Sequence, residues 1–309
     1  MTTRAQPLPR ARAAGVAQIP ALLLRSMRPR QWTKNGVVLV GLVFARELGK
    51  PEQVVRGALA LLIFCLVSGA VYLTNDLLDL DKDRLHPTKR RRPLASGRLP
   101  VEVAVAAAVG LVLIGLATAY VLSPGFFAVV AGYLALQAAY IGALKHLVIL
   151  DVMALAAGFV LRAVAGAVAV DVPISPWLYV CTMLLALFLA LGKRRQELVL
   201  LSGAAAGHRP ALEQYSVGLL DQLVQVVTTS LVFAYMLYTF SAENLPRNHA
   251  MMLTIPFVLY GLFRYLYLVH ERGEGGAPDE VLLRDRPTAA CVLLWGLSAV
   301  LILYLAPKA

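Results

Sequence analysis

Long apolar runs alternate with short polar breaks from about residue 31 to the end of the chain, and most of the runs are apolar all round rather than along one stripe. A helix that crosses a hydrocarbon core needs about 20 mostly apolar residues. Nine stretches follow that pattern: Gln31–Phe44, Val54–Thr74, Val101–Leu122, Gly125–Leu144, Asp151–Val170, Pro176–Leu191, Leu220–Phe240, Ala250–Val269 and Thr288–Leu305. The first and sixth are short for a span. The third to fifth are rich in Ala and Gly, among them Gly158, Ala163 and Gly166, which suits close helix packing in lipid. The pattern predicts an all-α polytopic membrane protein with about nine transmembrane helices. Ahead of them, Ile19 to Leu24 is a shorter apolar patch before Arg25, Arg28 and Arg30, expected as an amphipathic helix on the membrane surface. Met1 to Ala17 carries Arg4, Arg10 and Arg12 but no compact apolar core with a cleavage site. Residues 1–17 therefore read as a disordered basic arm, and 18–309 as a single transmembrane catalytic domain.

Composition agrees. The 309 residues are 59% hydrophobic and 15% charged, where a soluble domain would carry about 25% charged residues. The net charge of +11 points to anionic lipid headgroups, since Lys and Arg of membrane proteins gather in cytoplasmic loops; a nucleic-acid partner is not implied. With the N-terminus inside, 22 of the 29 Lys and Arg residues fall on the cytoplasmic side and five outside, while Arg162 and Arg264 lie within helices. The expectation is a multi-pass protein of the plasma (inner) membrane with a cytoplasmic N-terminus and an odd number of spans. The outer connections, such as Ser123–Gly125 and Asp171–Pro176, are short, which places the chemistry on the cytoplasmic face. Two long inner stretches, Asn75–Pro100 and Gly192–Leu219, follow the second and sixth spans, a placement that suggests two related halves. Cys65, Cys181 and Cys291 sit in apolar segments without metal-ligand or disulfide spacing.

The first inner stretch, NDLLDLDKDRLHPTKRRRPLASG, carries the densest chemistry. Asp76, Asp79 and Asp83 recur at i, i+3 and i+7, so they share a face if the preceding helix continues, while Asp81 points elsewhere. Such a carboxylate stripe calls for a cation. Oxygen-only ligands suit Mg²⁺, which is usually held by one or two carboxylates with substrate phosphates and waters. His86, Lys89, Arg90, Arg91 and Arg92 follow directly and are suited to phosphate oxygens. Together they describe a Mg²⁺-diphosphate site.

In the second inner stretch, Lys193, Arg194 and Glu197 share a helical face, with Arg195 and Gln196 turned away. They suit a phosphate-rich ligand or serve as an ordinary membrane anchor. Tyr140 and Lys145 close the fourth span; Lys145 either snorkels or completes a phosphate site. Arg162 is a charge deep in a span, and Asp151 is too far along the helix to be its obvious partner. Arg209, Glu213, Tyr215 and Asp221 are weak signals one by one.

The stretch NDLLDLDKD at Asn75–Asp83 resembles the first acidic motif, NDxxDxxxD, of the UbiA-type membrane prenyltransferase superfamily. The resemblance covers nearly the whole chain from about Arg28. It implies a UbiA-like bundle, a Mg²⁺-bound diphosphate donor and a cavity open to lipid. Typical members carry a second aspartate-rich motif in the second loop, whereas this sequence has GKRRQEL, with one acid and three bases. That pattern is similar to the decaprenyl-phosphate phosphoribosyltransferase branch. So are RPRQWTKN at Arg28–Asn35, DRLHPTKRRRPLASG at Asp83–Gly97, YIGALKH at Tyr140–His146, RYLYLV at Arg264–Val269 and LLRDRP at Leu282–Pro287.

The resemblance implies 5-phosphoribosyl diphosphate as donor and a polyprenyl phosphate as acceptor, in the making of precursors for arabinose-containing cell-wall polymers. Asp76, Asp79 and Asp83 would hold Mg²⁺ against the diphosphate, with Asn75 in support. Lys193, Arg194, Tyr140 and Lys145 would hold the 5-phosphate and ribose, and Glu197 the ribose hydroxyls or Arg194. Lys34, Lys89 and Arg92 would meet the acceptor phosphate or the diphosphate. A homo-oligomer stays open. Two other classes compete. A prenyltransferase with an aromatic or small acceptor would need a second acidic pair, which is not found. A transporter or lipid-binding protein would need ionisable groups spread through the helices, and only Arg162 and Arg264 lie deep.

Overall fold

A computed structural model describes residues 16–201, 210–242, 245–246, 248–273, 281 and 284–305. The expected arm falls almost wholly outside these residues, as do Arg209 and part of the LLRDRP stretch. Among the described residues the chain is helical throughout, with no strand. The helices are α1 (Ile19–Ser26), α2 (Val40–Phe44), α3 (Pro51–Leu78), α4 (Leu80–Leu85), α5 (Val101–Leu122), α6 (Pro124–Gly142), α7 (Leu150–Ala169), α8 (Pro176–Leu201), α9 (Pro210–Glu213), α10 (Val217–Ser241), α11 (Ile255–His270) and α12 (Arg286–Leu305). The apolar patch at Ile19 does form a helix, α1.

Among the described residues, eight helices are long and apolar enough to cross a membrane: α3, α5, α6, α7, α8, α10, α11 with the turn that precedes it, and α12. They coincide with eight of the nine expected spans. The remaining stretch differs in form. Pro29–Leu39 is a 3-10 helix of 11 residues, continued by the 5-residue α2. A 3-10 helix rises about 2.0 Å per residue against about 1.5 Å for an α-helix. These 16 residues therefore reach about 30 Å if straight, the thickness of a hydrocarbon core. Side chains such as Leu113, Val121 and Leu293 are exposed, as lipid-facing positions require.

The chain packs as two compact units, one of Met1–Gly36 with Ala58–Leu134, the other of Val37–Gly57 with Ala135–Ala309. In the first unit, Leu22 of α1 and Met27 just past its end pack with Leu73 of α3 and with Leu94 and Leu99 of the loop after α4. Phe64 meets the rings of Phe126 and Tyr133 at 6.0 and 5.4 Å. Buried Asn35 donates to Ser68 Oγ at 3.0 Å. In the second unit, Phe188 and Leu191 of α8 pack with Val152 and Ala156 of α7, Leu220 and Val224 of α10, and Tyr265 of α11.

Among the described glycines the tightest is Gly166 of α7, where an added Cβ would stand 1.8 Å from the Val38 carbonyl oxygen. The obstacle is backbone and has no rotamer to escape into. Gly166→Ala is expected to cost about 3 kcal/mol, the upper end for overpacking. It should be seen as a lost monodisperse peak in detergent chromatography. Gly132→Ala, whose Cβ would meet nothing within 4 Å, should leave the peak unchanged.

Candidate functional site

In the first unit the helical hydrogen bonding runs on past the end of α3. Asp79 N–H donates to Asn75 O at 3.0 Å and Asp83 N–H to Asp79 O at 2.8 Å. Asp76 and Asp83 thus stay on one face, and each is 3% exposed. Arg92 Nη1 donates to Asp76 Oδ1 at 3.0 Å and to Asp83 Oδ2 at 2.5 Å. Arg28 also pairs with Asp76 Oδ1 and lies 4.8 Å from the centre of the Tyr72 ring. Asp79 instead accepts from Asn75 Nδ2 at 3.2 Å. Asp81 is exposed and paired with Arg84 at 3.0 Å.

The loop that carries Arg92 is anchored by apolar side chains. Leu94 and Leu99 are 2% and 1% exposed in the cluster with Leu73. Ser96 N–H bonds back to Arg92 O at 2.9 Å, and Leu99 N–H to Pro93 O at 3.0 Å. His86 Nδ1 accepts from the N–H groups of Thr88 and Lys89 at 3.2 and 3.3 Å, a local turn role. Lys89 is exposed on that turn. Lys34 is half-buried and donates to Gln31.

The oxygens fit a hard cation. Asp76 Oδ1 and Asp83 Oδ2 reach the same guanidinium nitrogen, so the two distances bound their separation at 5.5 Å, their sum. Two oxygens bound to one Mg²⁺ stand at most about 4.2 Å apart, twice the bond length. Among the described residues no three His, Cys, Asp or Glu side chains form a ready cage. Magnesium typically needs only one or two carboxylates when substrate phosphates complete its shell. Arg28 and Arg92 bring two positive charges to the two buried carboxylates, charge that a divalent cation at the pair would also supply.

The second unit holds a different cluster. Arg194, 2% exposed, donates from Nε to Asp151 Oδ2 at 2.6 Å, from Nη1 to Glu197 Oε2 at 2.7 Å and from Nη2 to Tyr140 Oη at 3.4 Å. Tyr215 Oη donates to Asp151 Oδ1 at 2.8 Å and accepts from Ile149 N–H at 2.7 Å. Burial and the Asp151 carboxylate beside it push the Tyr215 phenol above its ordinary value. Ile149 has φ 67°, rare for a β-branched side chain, at the centre of a three-residue turn closed by Leu150 N–H to Val148 O at 2.8 Å. Half-buried Lys145 lies four residues before Ile149. Lys193 is 39% exposed, with Nζ 3.9 Å from Glu197 Oε1. Arg195 and Gln196 do turn away, to Asp221 at 2.5 Å and to the Gly273 carbonyl at 2.6 Å. Arg162 donates to Gly158 O at 2.9 Å and lies over the Phe159 ring.

Three points depart from the sequence reading. Arg194 is turned inward, its guanidinium shared among Asp151, Glu197 and Tyr140. Asp151, considered only as a partner for Arg162, is the buried centre of this network. A carboxylate at the start of an apolar helix was the signal that marked it. Arg28, in the RPRQWTKN stretch, was likewise missed as a partner for Asp76. The RYLYLV and RDRP stretches meet as a pair: Arg264 donates to both oxygens of Asp285 at 3.1 and 2.8 Å. Asp285 also caps α12 by accepting from Thr288 N–H at 3.0 Å. The Arg264 hydrogen bonds and those of Thr288 hold its carboxyl well below the usual range.

Residues 36–282 match the model of the UbiA prenyltransferase family. The chain belongs to this family. Among curated relatives, decaprenyl-phosphate phosphoribosyltransferase of Corynebacterium glutamicum is 34% identical over 92% of this chain and 87% of its own. The proteins of that name from Mycobacterium tuberculosis and Mycolicibacterium smegmatis are each 35% identical, over 90% and 88% of this chain and 93% and 89% of theirs. A UbiA homolog from Archaeoglobus fulgidus, solved bound to GPP and Mg²⁺, shares the fold with a TM-score of 0.69. It is 19% identical, over 91% of this chain and 99% of its own. The carboxylates of the first unit and the basic end of α8 in the second both lie in the stretch matched to the UbiA family.

Proposed function

We propose that this UbiA-family chain transfers the 5-phosphoribosyl group from 5-phosphoribosyl diphosphate to a polyprenyl phosphate, giving polyprenyl-phosphoryl-5-phosphoribose and diphosphate. The observation that carries this is the 34–35% identity to decaprenyl-phosphate phosphoribosyltransferases across about nine-tenths of the chain. The lipid phosphate oxygen forms a bond to ribose C1 as the C1–O bond to diphosphate breaks, with inversion. The nucleophile is already an anion, so no general base is needed, which agrees with the turn role of His86. Mg²⁺, when bound, neutralises the departing diphosphate. Asp76 and Asp83 would hold it, with Asp79 oriented by Asn75. Arg28 and Arg92 then take up diphosphate charge, and Lys34 and Lys89 remain candidates for the same anions. Positive charge builds at C1 in an oxocarbenium-like transition state.

In the second unit, Lys193, Lys145 and Tyr140 are assigned to the 5-phosphate and ribose. Arg194 acts as a positioning residue that fixes Glu197 and Tyr140. The protein is placed in the plasma membrane with its N-terminus and chemistry on the cytoplasmic side, following the bias of Lys and Arg.

A paired assay tests this. Purified protein with Mg²⁺ receives either 5-phosphoribosyl diphosphate and a polyprenyl phosphate, or a prenyl diphosphate and a panel of aromatic acceptors. Diphosphate release with a new phosphoribosylated lipid in the first tube is expected. Turnover only in the second would overturn the donor assignment. Lys193→Ala should raise the donor KM about tenfold, one lost charge-assisted contact, and leave the lipid KM unchanged.

A further inference from the structure

We propose that the groove between α1, α3 and α5 holds the head-proximal part of the acceptor's polyprenyl chain, with its phosphate in the adjoining arginine-lined pocket. This rests on the lipid-phosphate reading above. The groove, about 270 Å³, is lined by Leu23 of α1, Met27 just past its end, Leu73 of α3, and Gly110, Leu111 and Ile114 of α5. The pocket, about 250 Å³, is lined by Arg25, Arg28, Asp76, Thr88, Arg91 and Arg92. The same two elements supply both. Met27 is followed directly by Arg28, and Leu73 lies three residues before Asp76 on the same face of α3. Along this line the lining changes from purely aliphatic to four arginines around one carboxylate.

That profile fits an amphiphile with an anionic head and a single hydrocarbon chain. Arg28 and Arg92 are bound to Asp76, whereas Arg25 and Arg91 are exposed and make no carboxylate pair among the described residues. They can meet a lipid phosphate without dismantling the carboxylate nest. Sharing Asp76 puts that phosphate beside the group assigned to the diphosphate, as a nucleophile for C1 must be. A bulk phospholipid seated there would block the site rather than serve it.

Gly110 allows a clean test, because a Cβ there would meet nothing within 4 Å. Gly110→Leu is expected to put bulk into the groove without a clash at its Cβ. Its KM for a long-chain polyprenyl phosphate should rise about tenfold, with the donor KM unchanged. Gly132→Leu, equally open on α6, should behave as the parent. An unchanged lipid KM in Gly110→Leu overturns the proposal. Photolabelling without donor separates this from the functional reading. A benzophenone-bearing polyprenyl phosphate should mark the α5 peptide containing Ile114 even if phosphoribosyl transfer is never observed. Excess polyprenyl phosphate should displace the label and phosphatidylglycerol should not. Equal displacement by phosphatidylglycerol would make the groove a bulk-lipid contact and overturn the assignment.

Discussion

Asp83→Ala is expected to lower phosphoribosyl transfer by about a thousandfold or more while the protein stays monodisperse in detergent. Asp76→Ala should do the same. Each removes half of a buried carboxylate pair that converges on one point, and a lost electrostatic contact to the charge of the transition state is worth about two to three orders of magnitude. The loss is larger here because the remaining carboxylate stays tied to Arg92 and cannot alone set the diphosphate. Asp79→Ala should be milder, about ten- to a hundredfold, as befits a supporting ligand, since Asp79 faces Asn75. The measurement is diphosphate release against Mg²⁺ concentration for the three variants. Near-normal turnover in Asp83→Ala would remove the carboxylate pair from the reaction.

Asp151→Ala should be the most damaging change in the second unit. It leaves Arg194, 2% exposed, without its Nε partner and takes from Tyr215 the acceptor of its hydroxyl proton. Breaking a buried pair from one side costs about 3–5 kcal/mol, so the midpoint of thermal inactivation should fall by on the order of 5–10 °C. Activity should fall with it, in donor KM before kcat, because Glu197 and Tyr140 lose the guanidinium that aligns them. Ile149→Gly offers a check on the cause. Tyr215 clamps the strained amide of Ile149, and glycine adopts positive φ without penalty. Adding Ile149→Gly should therefore recover part of the donor affinity lost in Tyr215→Phe. No recovery would mean that the clamp does not set the turn.

Much of the fold was legible because spanning helices announce themselves by composition alone: eight of the nine apolar runs became long helices. Gln31–Phe44 was recognised as apolar but not for its form. A 3-10 helix repeats every three residues, and Asn35 and Val38 are its buried row, a period that a search at 3.6 does not see. The carboxylate spacing gave Asp76 and Asp83, since i and i+7 depend only on helix geometry. What stayed hidden were the partners from distant sequence, Arg28 for Asp76 and Asp151 for Arg194. Local periodicity carries no information on which charge crosses to which helix. The inward turn of Arg194 was hidden for the same reason, since Lys193 and Arg194 are neighbours of equal charge and only packing separates their fates.

The 3-10 form of Pro29–Leu39 makes length, more than composition, the constrained quantity of that stretch. Three residues per turn stack side chains in straight rows, so removing one residue swings everything beyond it by about a third of a turn and draws it back by about 2 Å. Val38 and Gly41, which meet α7 at Gly166 and Ala167, would then be replaced at that contact by neighbours carrying bulk or the wrong backbone register. Point substitutions on the outward rows should be tolerated during divergence. Insertions and deletions should not be, which makes this short stretch a fixed ruler.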